Sequence, residues 1–288
     1  MKLTDITQIK ALLARHGFRF SKALGQNFLV ADWVPRQIAE SAGLDSGTGV
    51  LEIGPGIGCL TAELSERAGK VLAVELDKSL APVLAETLEG RDNVELLFGD
   101  VLRQDLPALT AEKLPGLRPV VCANLPYNVT TPVLTALLEA GCFQQVTVMI
   151  QREVARRLCA HAGTADYGAF TLFVQWRAEV EQLFDVPPGC FLPQPKVTST
   201  VIRLTPRPEP PVGTEDPELL FRLIRAAFNQ RRKTLVNAMA AGLGLDKAEG
   251  EQILLRCGFD PRIRGEVLDL VGFAKIADEI HRKEIADL

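Results

Sequence analysis

The chain has 288 residues, of which 47% are hydrophobic and 24% charged, and this balance excludes wholesale disorder. The length suits two domains better than one. The N-terminus has no apolar signal-like run and no apolar stretch approaches 18 residues, so the sequence predicts a cytosolic protein without a membrane span.

The net charge of −4 hides an uneven distribution. Residues 1–36 contain six Lys or Arg against two Asp, and residues 222–234 contain five basic residues and no acid. Residues 45–112 contain five basic and thirteen acidic residues. An acidic body with two basic segments is typical of a nucleic-acid binder with a local footprint. Two solvated basic faces are the alternative interpretation.

Cysteine and histidine do not form a metal-ligand pattern. The six cysteines are scattered without a C-x-x-C pair, and the three histidines make no H-x-x-x-H spacing. Several cysteines stand in apolar surroundings. The sequence therefore favours reduced core thiols and predicts no metal site.

The N-terminal part combines helices with a basic, aromatic segment. Residues 4–16 and 33–42 show the apolar spacing of amphipathic helices. Residues 18–29 lie between these helices. They are too polar for a core strand, and their apolar residues show no regular spacing. This composition indicates a binding loop.

Strand and helix patterns alternate between residues 49 and 150. Helical patterns at 59–68 and 80–88 separate the first three apolar runs, and alternation of this kind predicts an α/β fold with a parallel, doubly wound sheet. The predicted strands are 49–53, 71–75, 94–100, 119–123 and 146–150.

The chain then changes character twice. Residues 170–178 and 197–205 alternate apolar with polar residues and predict closing strands, the intervening Pro-rich loop presenting Phe191 as an exposed ring. Residues 206–217 have the composition of a linker. Helical patterns follow to the end, so the predicted domains are 1–205 and 218–288.

A glycine-rich turn follows the first predicted strand, and acids follow the next two. Gly54, Gly56 and Gly58 allow a tight turn and close approach to a ligand. Glu75 stands where an acid binds ribose hydroxyls, a feature that nicotinamide and S-adenosylmethionine sites share. Asp100 ends the third strand, where its carboxylate can accept a hydrogen bond from the amino group of a cofactor adenine. This position favours S-adenosylmethionine over a nicotinamide cofactor.

The turn Asn124-Leu125-Pro126-Tyr127 follows the fourth predicted strand, at the edge where ligands bind in open α/β sheets. An exocyclic adenine amine is a poor nucleophile unless acceptors on its hydrogens free the lone pair. The Asn124 oxygen and a backbone carbonyl at Leu125 or Pro126 are candidate acceptors, and Tyr127 can stack on the base. A plain strand-to-helix turn is the alternative.

This ordered set resembles the class I, Rossmann-like S-adenosylmethionine-dependent methyltransferases, and the Asn-Leu-Pro-Tyr turn resembles their adenine-N6 branch. Three stretches narrow the resemblance to the rRNA adenine N6-dimethyltransferases of the bacterial small subunit, the RsmA/KsgA family. They are residues 22–29 (Lys-Ala-Leu-Gly-Gln-Asn-Phe-Leu), 191–193 (Phe-Leu-Pro) and 228–235 (Phe-Asn-Gln-Arg-Arg-Lys-Thr-Leu). The resemblance covers nearly the whole chain and implies a mostly parallel sheet with a small helical domain.

The resemblance also implies roles for individual residues. S-adenosylmethionine would bind at Gln26, Asn27, Leu29, Gly54, Glu75, Asp100, Val101 and Asn124. The target adenine would bind at Asn124, Leu125, Tyr127 and Phe191, with the two rings on its two faces. The implied substrate is a pair of adjacent adenines in a hairpin near the 3′ end of 16S rRNA, within an immature small subunit.

Arg231, Arg232 and Lys233 form a basic run in the helical domain. We interpret them as an RNA phosphate footprint of a monomeric enzyme, the alternative being a solvated helix start. Other functions remain open: a methyltransferase for large-subunit rRNA adenine, or an RNA-binding assembly factor without catalysis. A nicotinamide dehydrogenase is disfavoured, because the sequence shows no matching catalytic set.

Overall fold

The computed structural model describes residues 2–21 and 24–286, so Lys22 and Ala23 of the N-terminal motif lie outside the described residues. The chain divides into two compact units. The first comprises the described residues up to Ala155 together with Glu179–Pro206. The second comprises Arg156–Ala178 and the described residues from Arg207 onward.

Strands and helices are numbered along the chain. The strands are β1 Phe28–Leu29, β2 Thr48–Ile53, β3 Lys70–Glu75, β4 Val94–Phe98, β5 Arg118–Asn124, β6 Gln145–Gln151, β7 Ala178–Val186, β8 Phe191–Leu192 and β9 Ser199–Pro206. The helices are α1 Ile6–Arg15, α2 Trp33–Ser41, α3 Cys59–Ser65, α4 Ala81–Thr87, α5 Leu106–Lys113, α6 Thr130–Ala140, α7 Arg152–Leu158, α8 Ala169–Arg177, α9 Pro217–Asn229, α10 Leu235–Leu243, α11 Lys247–Arg256 and α12 Leu270–Ala286.

The described residues form a seven-stranded sheet in the order β4-β3-β2-β5-β6-β9-β7. The pairs among β2 to β6 are parallel. β9 is antiparallel to β6, with Val146 opposite Leu204 and Gln151 opposite Ser199. The predicted α/β class and the antiparallel closing strand at 197–205 are confirmed.

The central strands are nearly continuous apolar runs because helices cover both faces of a parallel sheet. Every residue of β2 is buried, and so are five of the six residues of β3. This packing fixes the carboxyl ends of β2, β3, β4 and β5 along one edge of the sheet. Only Glu52 among the β2 residues has an ionisable side chain, and it is 1% exposed.

The segment before α2 is not a free loop. Its last two residues form β1, which pairs antiparallel with β8 and places Leu29 opposite Phe191. The backbone N–H of Val30 donates to Cys190 O at 2.8 Å, which extends the pairing. The rings of Phe18 and Phe20 pack against Phe28 with centroids 5.7 and 5.2 Å apart.

The second unit has a helical core of its own. Leu172 and Trp176 of α8 are buried there together with apolar residues of α9 to α12. The Tyr167 hydroxyl donates to Leu268 O at 2.9 Å, and the Arg177 guanidinium lies 3.9 Å from the Phe173 ring centroid. Such contacts stabilise a small unit that lacks a sheet.

The predicted strand at 170–178 is wrong, because residues 170–177 lie in helix α8 and only Ala178 begins a strand, β7. Leu172 and Trp176 alternate with polar residues, but they are also four apart and share one helical face. The Thr171 hydroxyl accepts from Gly168 N at 3.1 Å and caps the helix start. Residues 156–178, which the predicted boundaries placed in the first domain, therefore group with the helical unit.

No helix within residues 2–21 and 24–286 is both long and apolar enough to cross a bilayer.

The turn between α3 and β3 requires glycine at position 69. The Gly69 N–H donates to Thr48 O at 2.9 Å, and a Cβ placed on Gly69 would lie 2.2 Å from Ser46 O. We expect Gly69→Ala to lower the free energy of unfolding by about 2 kcal/mol, because a backbone carbonyl must move. Chemical denaturation measures this, with Gly189→Ala as control, where a Cβ meets nothing within 4 Å. An equal loss in both variants would contradict the steric explanation.

Candidate active site

One cavity in the first unit is bordered by the carboxyl ends of β2, β3, β4 and β5. Each strand is followed by, or ends in, a predicted functional residue: Gly54, Glu75, Asp100 and Asn124. The N-terminal segment forms another side of the cavity. All eight predicted cofactor residues line it, together with Leu125 and Tyr127.

The glycine-rich turn adopts backbone angles that favour glycine. The φ angles of Gly54, Gly56 and Gly58 are 69°, 60° and 87°. A Cβ on Gly56 would also lie 3.0 Å from the Phe28 ring. The turn therefore brings bare backbone to the cavity wall, as the sequence predicts.

Glu75 is held by backbone donors on both of its oxygens. Oε2 accepts from Gly56 N at 3.1 Å, and Oε1 accepts from Asp77 N at 2.8 Å. Burial raises the pKa of this carboxyl above its usual range. A carboxylate has about four lone-pair sites, so Glu75 keeps acceptor capacity for two ligand hydroxyls.

Asp100 is oriented by the chain that follows it. Its Oδ1 accepts from Leu102 N at 3.0 Å, and its Oδ2 lies 3.7 Å from the exposed Arg103 Nε. Val101 next to it is 9% exposed and adds an apolar wall. The pair offers a flat apolar surface beside an acceptor, which suits an adenine edge.

Two side-chain hydrogen bonds tie the N-terminal segment over the cavity. Gln26 Nε2 donates to Asp77 Oδ2 at 2.6 Å, and Asn124 Nδ2 donates to Asn27 O at 3.1 Å. Gln26 is itself fixed, because its Oε1 accepts from Ser21 N at 2.9 Å. The segment is thus anchored at the ends of β3 and β5. The sequence predicted Gln26 and Asn27 in the site but not Asp77.

The Asn-Leu-Pro-Tyr turn presents two oxygens without partners among the described residues. With its nitrogen on Asn27 O, Asn124 keeps Oδ1 as an acceptor. The Leu125 N–H donates to Met149 O at 3.1 Å, while its carbonyl has no partner. The Pro126 carbonyl accepts from Val129 N and from Thr130 Oγ1, both at 3.2 Å. Between the two candidate carbonyls the geometry favours Leu125.

Tyr127 is half-buried at the cavity and is fixed at its hydroxyl. Its oxygen lies 2.7 Å from Ser199 Oγ, and the Ser199 side chain is fully buried at the start of β9. Burial raises the pKa of Tyr127 above its usual range. The phenol is therefore neutral and is held in place through its hydroxyl, and the residue lines the cavity. Ser199 gave no signal in the sequence.

Phe191 is not the exposed ring that its Pro-rich surroundings predicted. It is 2% exposed, pairs with Leu29 across β1 and β8, and belongs to the core of the first unit. An apolar ring of this size gains more from burial than from a solvated loop. The expectation of exposure is wrong, and the ring does not border the cavity in this conformation.

The basic run in the second unit divides into one fixed and two free residues. The guanidinium of Arg231 contacts Glu266 Oε2 at 2.7 Å and donates to the carbonyls of Thr164 and Ala165 at 3.0 and 2.9 Å. Arg232 and Lys233 are exposed, and neither has an ion pair among the described residues. The predicted phosphate footprint therefore rests on these last two, and Arg231 fastens the 164–165 loop.

The acidic character of the cavity exceeds what the sequence indicated. Glu52 joins Glu75 and Asp100 in the lining, whereas no Lys, Arg or His belongs to the lining within the described part of the chain. Glu52 stands in β2, two residues before Gly54. A carboxyl inside a buried, otherwise apolar strand was the signal that could have found it. The charge favours a ligand that carries positive charge.

Comparisons with known proteins agree with this geometry. The chain is 49% identical over 276 residues to the ribosomal RNA small subunit methyltransferase A of Geobacillus thermodenitrificans, covering 94% of each chain. It is 43% identical to the protein of the same name from Alkaliphilus oremlandii, covering 98% of this chain and 99% of that one.

Two solved structures share the fold. A dimethyladenosine transferase from Plasmodium falciparum is 25% identical with a TM-score of 0.75, over 89% of this chain and 98% of that one. The 23S rRNA methyltransferase ErmE is 27% identical with a TM-score of 0.67, over 88% of this chain and 100% of that one.

The family described as ribosomal RNA adenine dimethylase matches residues 17–255, which include the whole cavity and most of the helical unit. Matches at this coverage, with small-subunit methyltransferases as relatives, establish the fold as that of the class I methyltransferases. The chain belongs to the ribosomal RNA adenine dimethylase family.

Proposed function

We propose that the protein transfers methyl groups to N6 of two adjacent adenines in a hairpin near the 3′ end of 16S rRNA. The family makes it an S-adenosylmethionine-dependent rRNA methyltransferase. The two adenines, a monomeric state and action on an immature small subunit in the cytoplasm belong to the proposal. One observation carries it: Asn124 Oδ1 and Leu125 O, two acceptors without a partner among the described residues, line the cavity together with Tyr127.

The residues of the cavity fit S-adenosylmethionine. When bound, this cofactor supplies a methyl group on a positively charged sulfonium. Glu75 would accept from the ribose hydroxyls, Asp100 and Val101 would hold the adenine, and the bare backbone at Gly54 would approach the methionine part. Gln26, Asn27 and Leu29 would cover it from the N-terminal side. The orphaned carboxyl of Glu52 and the absence of a described cation in the lining suit the positive charge.

Asn124 and Leu125 would prepare the target amine. Two acceptors on its two hydrogens draw the nitrogen toward a tetrahedral geometry, which frees the lone pair that the ring otherwise delocalises. Fixed acceptors cost no reorganisation at the moment of reaction. The methylated amine is acidic enough to release its proton to water, so no general base is needed. This agrees with a described lining that contains no His.

Tyr127 would hold the base that has been rotated out of its stack. An aromatic side chain stacks on any base, and such stacking contributes about 1–3 kcal/mol per base. The contact between its hydroxyl and Ser199 Oγ keeps the ring in one orientation. Phe191 would serve as a second stacking face only if β8 released it from the core, so we assign the stacking to Tyr127.

Arg232 and Lys233 would bind RNA phosphates. Their charges have no partner among the described residues, and the neighbouring α9 adds exposed Arg222 and Arg225. Phosphate contacts position the RNA without reading its sequence. The choice of hairpin would then depend on shape and on the pocket.

Two other functions make different predictions in one experiment. Labelled S-adenosylmethionine is incubated with the protein and small subunits that lack adenine dimethylation, and in parallel with naked large-subunit rRNA. We expect dimethyladenosine in the small subunit only, detected by mass spectrometry of nucleosides. Label in the large-subunit RNA would favour a methyltransferase for large-subunit rRNA adenine. Cofactor binding without label in either RNA would favour a non-catalytic assembly factor.

Replacing Asn124 tests the polarising amide. We expect Asn124→Ala to slow methyl transfer at least about a hundredfold, or about 2.7 kcal/mol of barrier, because one acceptor is lost. Single-turnover kinetics at saturating cofactor measure the rate, and calorimetry checks that cofactor affinity changes far less. Asn128→Ala removes an amide from the same turn and is the control. Equal losses in both variants would assign the effect to the turn.

Replacing Tyr127 separates stacking from the hydrogen bond to Ser199. Tyr127→Phe keeps the ring and should retain activity within about tenfold, whereas Tyr127→Ala should lose about a hundredfold or more, since stacking contributes up to about 3 kcal/mol. Methyl incorporation into small subunits gives both values. Similar activity of the two variants would remove the ring from the base site.

Charge-reversal variants test whether Arg232 and Lys233 bind RNA phosphates. We expect Arg232→Glu with Lys233→Glu to lower the slope of log affinity against log salt concentration for RNA by about 1.5, since each lost phosphate contact removes about 0.7–0.9. Arg231→Ala should leave the slope unchanged and lower thermal stability, because it unfastens the 164–165 loop. Lys247→Glu, an exposed change in the same unit, is the control. A slope that only Arg231→Ala altered would contradict the assignment.

A further inference from the structure

Glu52 is a buried carboxyl in the cavity wall to which the proposed reaction gives no task. It lies on β2, next to the glycine turn, and is 1% exposed. Its Oε2 has no hydrogen-bond partner among the described residues. Burial of an ionised, unpaired acceptor is unfavourable, so this position is stable only if the carboxyl is neutral or meets a positive charge.

No cation among the described residues lines the cavity to meet that charge. The titratable groups that interact with Glu52 are Glu75 on β3, Cys59 on α3 and Cys122 on β5. Burial raises the pKa of both thiols, so they remain neutral. The surroundings therefore disfavour an ionised Glu52 while the cavity holds no cation.

Burial raises the pKa of Glu52 to about 8, the Thr61 hydroxyl on α3 opposes this shift, and the charge of Glu75 adds to it. This group therefore titrates near physiological pH. A positive charge that enters the cavity lowers that pKa, because an opposite charge nearby favours the ionised form.

We propose that Glu52 is the counter-charge through which this cavity prefers the sulfonium form of the cofactor to its neutral thioether product. The inference rests on the proposed function, because it requires S-adenosylmethionine in this cavity. It adds a residue that determines specificity and does not contact the reacting adenine.

The charges balance through the cycle. Binding of the sulfonium ionises Glu52, and the proton leaves to solvent. Transfer moves the methyl group from sulfur to the adenine nitrogen, the electron pair of the broken bond stays on sulfur, and the amine proton goes to water. The sulfur that remains is uncharged, while the ammonium and carboxylate of the amino-acid part are unchanged by the transfer. Glu52 then takes up a proton again, and its attraction to the sulfur is lost. The product is thereby held more weakly than the methyl donor.

The link between cofactor binding and ionisation of Glu52 determines whether cofactor affinity rises or falls with pH. Because the sulfonium binds the ionised form better, its affinity should rise with pH toward about 8 and then level off. The affinity of the thioether should vary less, since it carries no sulfonium charge. Each unit by which the cation lowers the pKa corresponds to about a tenfold preference.

Calorimetry on the full chain tests this with S-adenosylmethionine and S-adenosylhomocysteine as probes. Titrations in two buffers of different ionisation enthalpy count the protons released on binding, between about pH 6 and pH 9, where the coupling acts. We expect more proton release for the sulfonium than for the thioether. In Glu52→Gln the extra release should vanish, and the preference for the sulfonium should fall about tenfold at pH 8.

The controls separate the possible failures. Glu52→Gln is neutral and isosteric, so it should unfold at least at the wild-type temperature at pH 8, and Glu112→Gln, an exposed change, should behave as wild type. Binding of both ligands with an unaltered preference in Glu52→Gln would overturn the role of Glu52 and leave the proposed function standing. Failure of the wild type to bind either ligand would overturn both.

Discussion

The site depends on one amide. Asn124 ends β5 with its nitrogen on the Asn27 carbonyl, and this single contact does two things. It anchors the N-terminal segment above the cavity, and it orients the side chain so that the oxygen remains available. An amide is the side chain that can do both, since a carboxylate has no donor and an amine no acceptor. The proposed polarisation of the adenine amine therefore uses the same side chain that anchors the N-terminal segment.

Burial sets the electrostatics around that contact. The parallel sheet requires apolar strands, so Glu52 and Glu75 near the ends of β2 and β3 are desolvated, and burial raises the pKa of both. Glu75 is compensated by two backbone donors, whereas Oε2 of Glu52 has no partner among the described residues. Two carboxyls in one wall thus differ in what they can accept: hydroxyl protons at Glu75 and a positive charge at Glu52.

The sequence predicted the sheet, its antiparallel closing strand and the cavity lining because these depend on period and on strand ends, which are local patterns. Predictions from the sequence were wrong or missing where contacts between distant parts of the chain determine the structure. Leu172 and Trp176 of the alternating run in α8 also share a helical face, and burial of that face in the core of the second unit selects the helix. Phe191 was predicted as exposed from its prolines, but pairing of β8 with β1 buries it. Ser199 and Asp77 act through contacts that span 72 and 51 positions of the chain, and no local signal marks them.

The limit of prediction from sequence is clearest where two adjacent residues are of the same type. Arg231 and Arg232 are indistinguishable in a basic run, yet the first has its guanidinium on Glu266 and two carbonyls while the second is exposed. A planar fork with five donors can satisfy backbone carbonyls that a Lys could not reach together, so Arg at position 231 follows from the fold of its own unit. A phosphate, by contrast, accepts either cation, and the neighbours at 232 and 233 are one of each. Charge in the sequence predicts a phosphate-binding surface, and the geometry of the donors shows which of its residues already have partners within the fold.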